Sequence, residues 1–266
     1  PIIEKPNELN IDASYSLRLS DNFSMAVSLG YIRSDLKIQA VVPNAKAANS
    51  YAVGISGFYQ GDEVAYNDFN GRWRGGFAIQ NIGPKLKYDD AGRENFLPTN
   101  LRIGGGFDFI FDFYNKLSVT AEVAKLLVPT PPVYGTEFNY ADDNGDGIYN
   151  QDDDTLGTEV NDNVIIDGQD PNVGFVQGVF QSFGDAPGGF SEELREFTWS
   201  LGAEYTYEDS FALRAGFLND PSGELSYTTL GVGADLGTIG FDLSYMMGDN
   251  LDPHSDMVRF SLSGSF

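Results

Sequence analysis

The sequence predicts an all-β chain, an antiparallel transmembrane β-barrel of the outer-membrane kind. Three observations predict it: period-two alternation in eleven segments, aromatic residues at the ends of the apolar faces, and connections that alternate between long and tight. A soluble sandwich also alternates, but it has no reason to sort its loops by parity.

The first segment, 9–20, sets the pattern. Leu9, Ile11, Ala13, Tyr15, Leu17 and Leu19 alternate with Asn10, Asp12, Ser14, Ser16, Arg18 and Ser20. Successive side chains of a strand point to opposite faces, so this strand has one apolar and one wet face. Its length suits a tilted transmembrane strand, which needs about 9–11 residues. The pattern recurs over 23–33, 50–59, 72–80, 100–110 and 115–126. After an interruption it resumes over 197–207, 211–219, 226–236, 239–247 and 257–266. Tyr31, Tyr59, Trp73 and Tyr245 stand near the ends of apolar faces, where interfacial girdles are expected.

The connections 34–49, 81–99, 127–196, 220–225 and 248–256 form the long class, and 21–22, 111–114, 208–210 and 237–238 the tight class. The connection 60–71 is longer than its class predicts. Short periplasmic turns and long outer loops are the expected asymmetry, so Phe266 ends at the periplasmic side and the long loops are extracellular. Single-chain bacterial barrels usually have an even strand number. Eleven strands therefore read as the C-terminal part of a barrel, with Pro1 an internal start and an odd number of strands preceding it. The whole of 1–266 is expected to be one barrel, with a long acidic extracellular loop at 127–196. Asp12, Arg18, Arg102, Asp108, Glu204, Arg214, Asp242 and Arg259 fall on the polar, lumen-facing side. Their mixed signs fit a filled interior or a wide solvated pore.

Composition narrows the function. The formal charge is −23, from 39 acidic and 16 basic residues, which argues against nucleic acid as a partner. There is no cysteine and one histidine, His254, so thiolate chemistry is excluded and a histidine triad is left almost no material. No run reaches the roughly 20 apolar residues of a transmembrane helix. Gly104-Gly105-Gly106 lies within a strand and opens no helix, so it is not a phosphate loop. Arg72-Trp73-Arg74 could grip a ligand, but reads more simply as an interfacial Trp73 flanked by arginines facing the lumen or headgroups. Nothing groups into an enzyme site.

Inside 127–196, residues 142–153 follow the grammar of a calcium loop: oxygen donors at positions 1, 3 and 5, glycine at 6. Asp142, Asn144 and Asp146 would supply side-chain oxygens, Ile148 a carbonyl, Asn150 a direct or water-mediated ligand, and Asp153 the twelfth position. Aspartate there is shorter than the usual glutamate, which weakens bidentate ligation. The expected cofactor is thus a structural Ca2+ and no organic group; the plain alternative is a solvated acidic loop. The same segment holds an aromatic and aliphatic cluster, Phe175, Val176, Val179, Phe180, Phe183 and Phe190. It reads either as an exposed contact patch or as a loop that buries it over the barrel mouth.

Residues 68–85 (DFNGRWRGGFAIQNIGPK), 96–109 (FLPTNLRIGGGFDF) and 125–132 (KLLVPTPP) resemble the PorV (LptO) family of the type IX secretion system. So do 9–33 and 258–266, whereas about 134–191 has no clear counterpart. The resemblance implies a FadL-like outer-membrane barrel of fourteen strands in Bacteroidota, to which three further strands would complete these eleven. It also implies a function: binding the C-terminal signal domain of secreted cargo at the SprA/Sov-type translocon and delivering it to the sortase-like attachment complex. Outer loops are implied to enter the translocon and touch cargo. Candidates are Lys125, Leu126, Leu127, Val128, Pro129 and Pro131, together with Phe175, Phe180 and Phe183 of the long loop. The alternative is a FadL-like transporter of fatty acids or other hydrophobic compounds, which predicts an apolar lumen pocket and a lateral wall opening.

Overall fold

The computed structural model describes residues 6–36, 45–89, 92, 94–143, 145, 147, 150, 152, 155–248 and 257–264. The chain divides into two compact units: unit 1 comprises 1–127 and 195–266, and unit 2 comprises 128–194.

Unit 1 is an antiparallel sheet. Its strands are β1 (Asn7–Arg18), β2 (Phe23–Asp35), β3 (Ala48–Gln60), the two-residue β4 (Val64–Ala65), β5 (Asn70–Ile82), β6 (Asn100–Ile110) and β7 (Asn115–Leu126). They continue, beyond unit 2, with β10 (Phe197–Tyr207), β11 (Phe211–Asp220), β12 (Leu225–Asp235), β13 (Ile239–Gly248) and β14 (Met257–Gly264). Apart from β4, which pairs only with β5, each strand pairs with the next of this series along the path from β1 to β14. The eleven long strands coincide with the eleven alternating segments. Among the described residues nothing pairs β1 with β14, so this barrel wall is an open sheet.

The alternation points outward in the way a membrane wall requires. Along β10, Trp199, Leu201, Tyr205 and Tyr207 are exposed while Ser200, Gly202, Glu204 and Thr206 are half-buried. The same inversion runs through β13, where Ile239, Phe241, Leu243 and Tyr245 are exposed and Gly240, Asp242 and Ser244 are half-buried. A water-soluble sheet buries the first set; a lipid-facing wall presents it.

The 83–99 connection packs on the inner side of β2 and β3. Leu86 and Leu97 form a buried cluster with Ala48 and Ala52, against which Ile32 and Tyr88 pack. The Ser50 hydroxyl donates to the Pro84 carbonyl, and the Tyr88 hydroxyl donates to Ser34. A Cβ at Gly83 would stand 2.0 Å from the Tyr51 carbonyl oxygen, so only glycine lets the chain turn in at this point.

Two connections differ from expectation. The link 220–225, read as long, is a four-residue turn over 221–224, because β11 and β12 extend further than their alternation. The overlong 61–69 link carries β4 and an aromatic cluster: Tyr66 stacks on Phe69 at 5.0 Å, and Phe107 meets Trp73 and Phe109 at 4.7 Å each. Tyr59, Phe113, Tyr114, Tyr207 and Phe211 stand at the same tight-turn end. The tyrosines and Trp73, apolar in body and polar at the tip, suit a membrane–water interface.

Unit 2 is an antiparallel hairpin, β8 (Val133–Ala141) with β9 (Thr155–Asp167), followed by α1 (Phe175–Gln181) and α2 (Phe190–Arg195), whose last residue lies in unit 1. A long irregular loop was expected here. The hairpin's register shifts repeatedly, between Gly135 and Glu137 among other places, so no clean alternation marks it. The helices are too short to show a helical period.

Candidate functional site

Three sets of polar and apolar side chains are candidates for function. The first lines the inner face of the wall, where opposite charges from neighbouring strands pair. Asp108 of β6 faces Arg72 across the ladder and accepts from it at 3.2 Å, from Arg74 at 2.9 Å and from Ser118 of β7 at 2.7 Å. Arg102 pairs with Glu122 at 2.9 Å. Arg214 of β11 reaches Glu204 on one side at 2.6 Å and Asp242 of β13 on the other at 2.5 Å. To reach Asp242 it must cross β12, and β12 has Gly231 and Gly233 there; a Cβ at Gly233 would lie 2.9 Å from Arg214 Nη1. Of the mixed charges read from the sequence, Arg102, Asp108, Glu204, Arg214 and Asp242 are thus assembled into pairs. A groove of about 400 Å³ is lined by Arg74, Arg102 and Glu122, by Phe58, Phe77 and Ala121, and by glycine backbone of β5 and β6.

The second set stands where β7 and β10 run side by side. Period two places Lys125 on the apolar face of β7, in line with Leu117, Val119, Ala121 and Val123. The structure buries it: its ammonium pairs with Glu196, whose side chain is 16% exposed, and lies 5.1 Å from the Phe197 ring centre. An uncompensated ammonium would be expelled from such a place, so the carboxylate and ring explain how Lys125 is tolerated. Leu127 is buried as well, its amide donating to the Thr99 carbonyl, and so is Pro129. Of the segment expected to touch a partner, Lys125, Leu127 and Pro129 are therefore buried. Leu126 and Pro131 are exposed and Val128 is half-buried.

The third set is in unit 2. Val176, Phe180 and Phe183 recur at helical spacing along α1 and just beyond it, and are 55%, 73% and 48% exposed. On α2, Phe190 and Leu194 are 78% and 54% exposed. Phe175 is half-buried. Val179 is half-buried as well. The loop into α2 is fixed by the helix itself: the Glu193 carboxylate accepts from the Asp185 and Ala186 amides, and Glu192 accepts from the Gly188 amide. Gly189 supplies the positive φ, +66°, from which Phe190 projects. Asp185 is buried and accepts from the Thr130 amide at 3.1 Å. Burial pushes its carboxyl above the ordinary value; the Thr130 amide opposes this and the Glu193 charge adds to it.

Of the candidate calcium ligands, Asn144, Asp146, Ile148 and Asp153 lie outside the described residues. Asp142 turns back on its own loop, accepting from the Gly145 amide at 2.5 Å and the Gly147 amide at 2.9 Å, both glycines having φ of +80°. Asn150 accepts from the Asp152 amide at 3.2 Å. His254 is likewise outside the described residues.

Sequence reasoning missed Glu196 and the exposure of Leu194. The lone cation on the apolar face of β7 was a signal that Lys125 needed a buried anion, but not which one.

No curated protein matches the chain. Among solved structures, the CymD monoaromatic hydrocarbon channel is similar at 12% identity with a TM-score of 0.36, over 97% of this chain and 71% of that one. The family described as type IX secretion system protein PorV matches residues 1–133, which is half the chain and contains the three segments 68–85, 96–109 and 125–132. On that match, and with its eleven-strand antiparallel wall, the chain belongs to the PorV family of the type IX secretion system.

Proposed function

We propose that this protein is the outer-membrane component that receives the C-terminal signal domain of secreted cargo at a SprA/Sov-type translocon and carries it to the sortase-like attachment complex. Family membership supports a role in type IX secretion. The observation that favours cargo binding is the set of large apolar side chains left exposed on α1 and α2, since a monomeric surface rarely leaves such residues uncovered without a partner. In this reading the contact residues are Phe175, Phe180, Phe183 and Pro131 of unit 2 and, separately, Leu126 of unit 1. The long connections lie outside the cell, the tight turns in the periplasm, and the outer face of the wall against lipid. The protein acts by binding, without a catalytic step. A Ca2+ ion held by 142–153 would stiffen unit 2.

The transporter reading has weaker support, because the groove on the inner face carries Arg74, Arg102 and Glu122 beside Phe58, Phe77 and Ala121 and so is not the wholly apolar pocket that reading predicts. The test is a mild-detergent pull-down from the native outer membrane with mass spectrometry. Recovery of a giant translocon barrel, or of proteins sharing one C-terminal domain, supports the proposal. Recovery of the barrel alone with bound fatty acid would replace it with the transporter.

A further inference from the structure

Residues 128–194 contain fourteen Asp and Glu and no Lys, Arg or His. Unit 2 is therefore an anionic body whose two helices carry exposed phenylalanines, the exposed Arg195 that closes α2 being the one cation of those helices. From this pairing we infer that unit 2 docks a cationic polypeptide face, Lys- and Arg-rich around an apolar centre that receives the Val176, Phe180 and Phe183 stripe and Phe190. The inference rests on the function proposed above, which makes that face part of the cargo's C-terminal signal domain.

Charge decides the partner's chemistry. A polyanion of this density is repelled by nucleic acid and by phosphate-rich lipid headgroups, so neither can bring its surface close enough to bury the rings. A basic polypeptide is drawn in, and the field acts before contact by raising the encounter rate. The aromatic side chains then supply affinity, because large rings desolvated at the centre of an interface dominate its energy. They are also set in place beforehand. Glu192 and Glu193 tie the 185–188 loop to α2, and Gly189 aims Phe190, so little ordering remains to be done on binding. Asp162, Asp167 and Asp170 are among the exposed carboxylates that carry this charge.

The experiment uses the full chain in detergent and, as probe, a purified C-terminal signal domain of a type IX cargo from the same genome. Binding is titrated between about 50 and 500 mM salt, a range over which exposed charges are progressively screened. The wild type is expected to lose at least tenfold in affinity across that range. Phe180→Ser with Phe190→Ser is expected to lose tenfold or more at low salt. Asp162→Asn with Asp167→Asn and Asp170→Asn is expected to weaken binding several-fold and flatten the salt dependence. Phe113→Ser removes a ring that is 90% exposed at the tight-turn end and is expected to change nothing. Protease resistance of 128–194 checks that each variant keeps unit 2 folded. If the signal domain binds but is indifferent to salt and to both sets of changes, the inference fails while cargo binding stands. If the wild type does not bind the signal domain, both fail. Capture only on calcium-loaded anionic vesicles would likewise overturn the inference, in favour of a membrane surface.

Discussion

Lys125 and Glu196 are ion-paired across the β7–β10 boundary, the ammonium without exposed surface and the carboxylate just ahead of the residue that faces Lys125 in the ladder. They are 71 positions apart in the chain, and all of unit 2 lies between them.

Removing one partner should therefore be worse than removing both. Lys125→Met is expected to destabilise the barrel by about 2–4 kcal/mol, slightly less than a fully buried pair because Glu196 retains some water. Lys125→Met with Glu196→Gln should recover part of that loss. The temperature at which the folded band converts to unfolded mobility on a gel measures both. A single variant as stable as the wild type would show that the pair is unimportant.

Glycine substitutions should separate by position. Gly83→Ala forces a carbon against the Tyr51 carbonyl and should cost about 1–3 kcal/mol, as overpacking does. Gly105→Ala meets nothing nearer than a carbonyl at 3.7 Å and should be silent. Melting of the two variants side by side checks the contrast; equal losses would refute it.

Acid should tighten unit 2. The Asp185 carboxyl binds its proton more strongly in the folded chain than in the unfolded one, so protonation favours the folded unit. Its contribution is thus most favourable in acid, and is lost as the pH climbs from the ordinary value of 3.8 through the raised one. Proteolysis of 128–194 across this window should speed up with rising pH in the wild type. Asp185→Asn keeps an acceptor for the Thr130 amide and should flatten the dependence. An unchanged slope in that variant would assign the effect elsewhere.

Calcium should protect the same segment. With the ion present, cleavage within 142–153 is expected to slow several-fold, and a chelator should reverse it. Asp142→Ala should abolish the protection. Equal cleavage with and without chelator would remove the metal from the account.

The wall was legible because every strand answers to two solvents at once. Ile239, Phe241, Leu243 and Tyr245 meet lipid while Gly240, Asp242 and Ser244 meet the interior, so alternation survives along the whole strand. Where that double constraint ends, the signal ends with it. The β8–β9 hairpin slips register repeatedly, and α1 and α2 are 7 and 6 residues long, too short for a period to repeat. The inner pairs were half legible. Parity put Arg214, Glu204 and Asp242 on one face, but only the register shows Arg214 bridging over the glycines of β12. Lys125 shows the opposite limit: parity and a polar identity conflicted, and burial with an anion distant in sequence resolved the conflict.

Because β7 and β10 stay hydrogen-bonded neighbours from Phe197↔Lys125 down to Tyr207↔Asn115, the chain leaves and re-enters the wall at one spot. The wall's ladder is indifferent to what is spliced between those two strands. The junction therefore works as a socket: the segment between these two strands can be lengthened, shortened or exchanged without redesigning the wall. The same spot is where an engineer could graft a foreign binding module and keep the barrel.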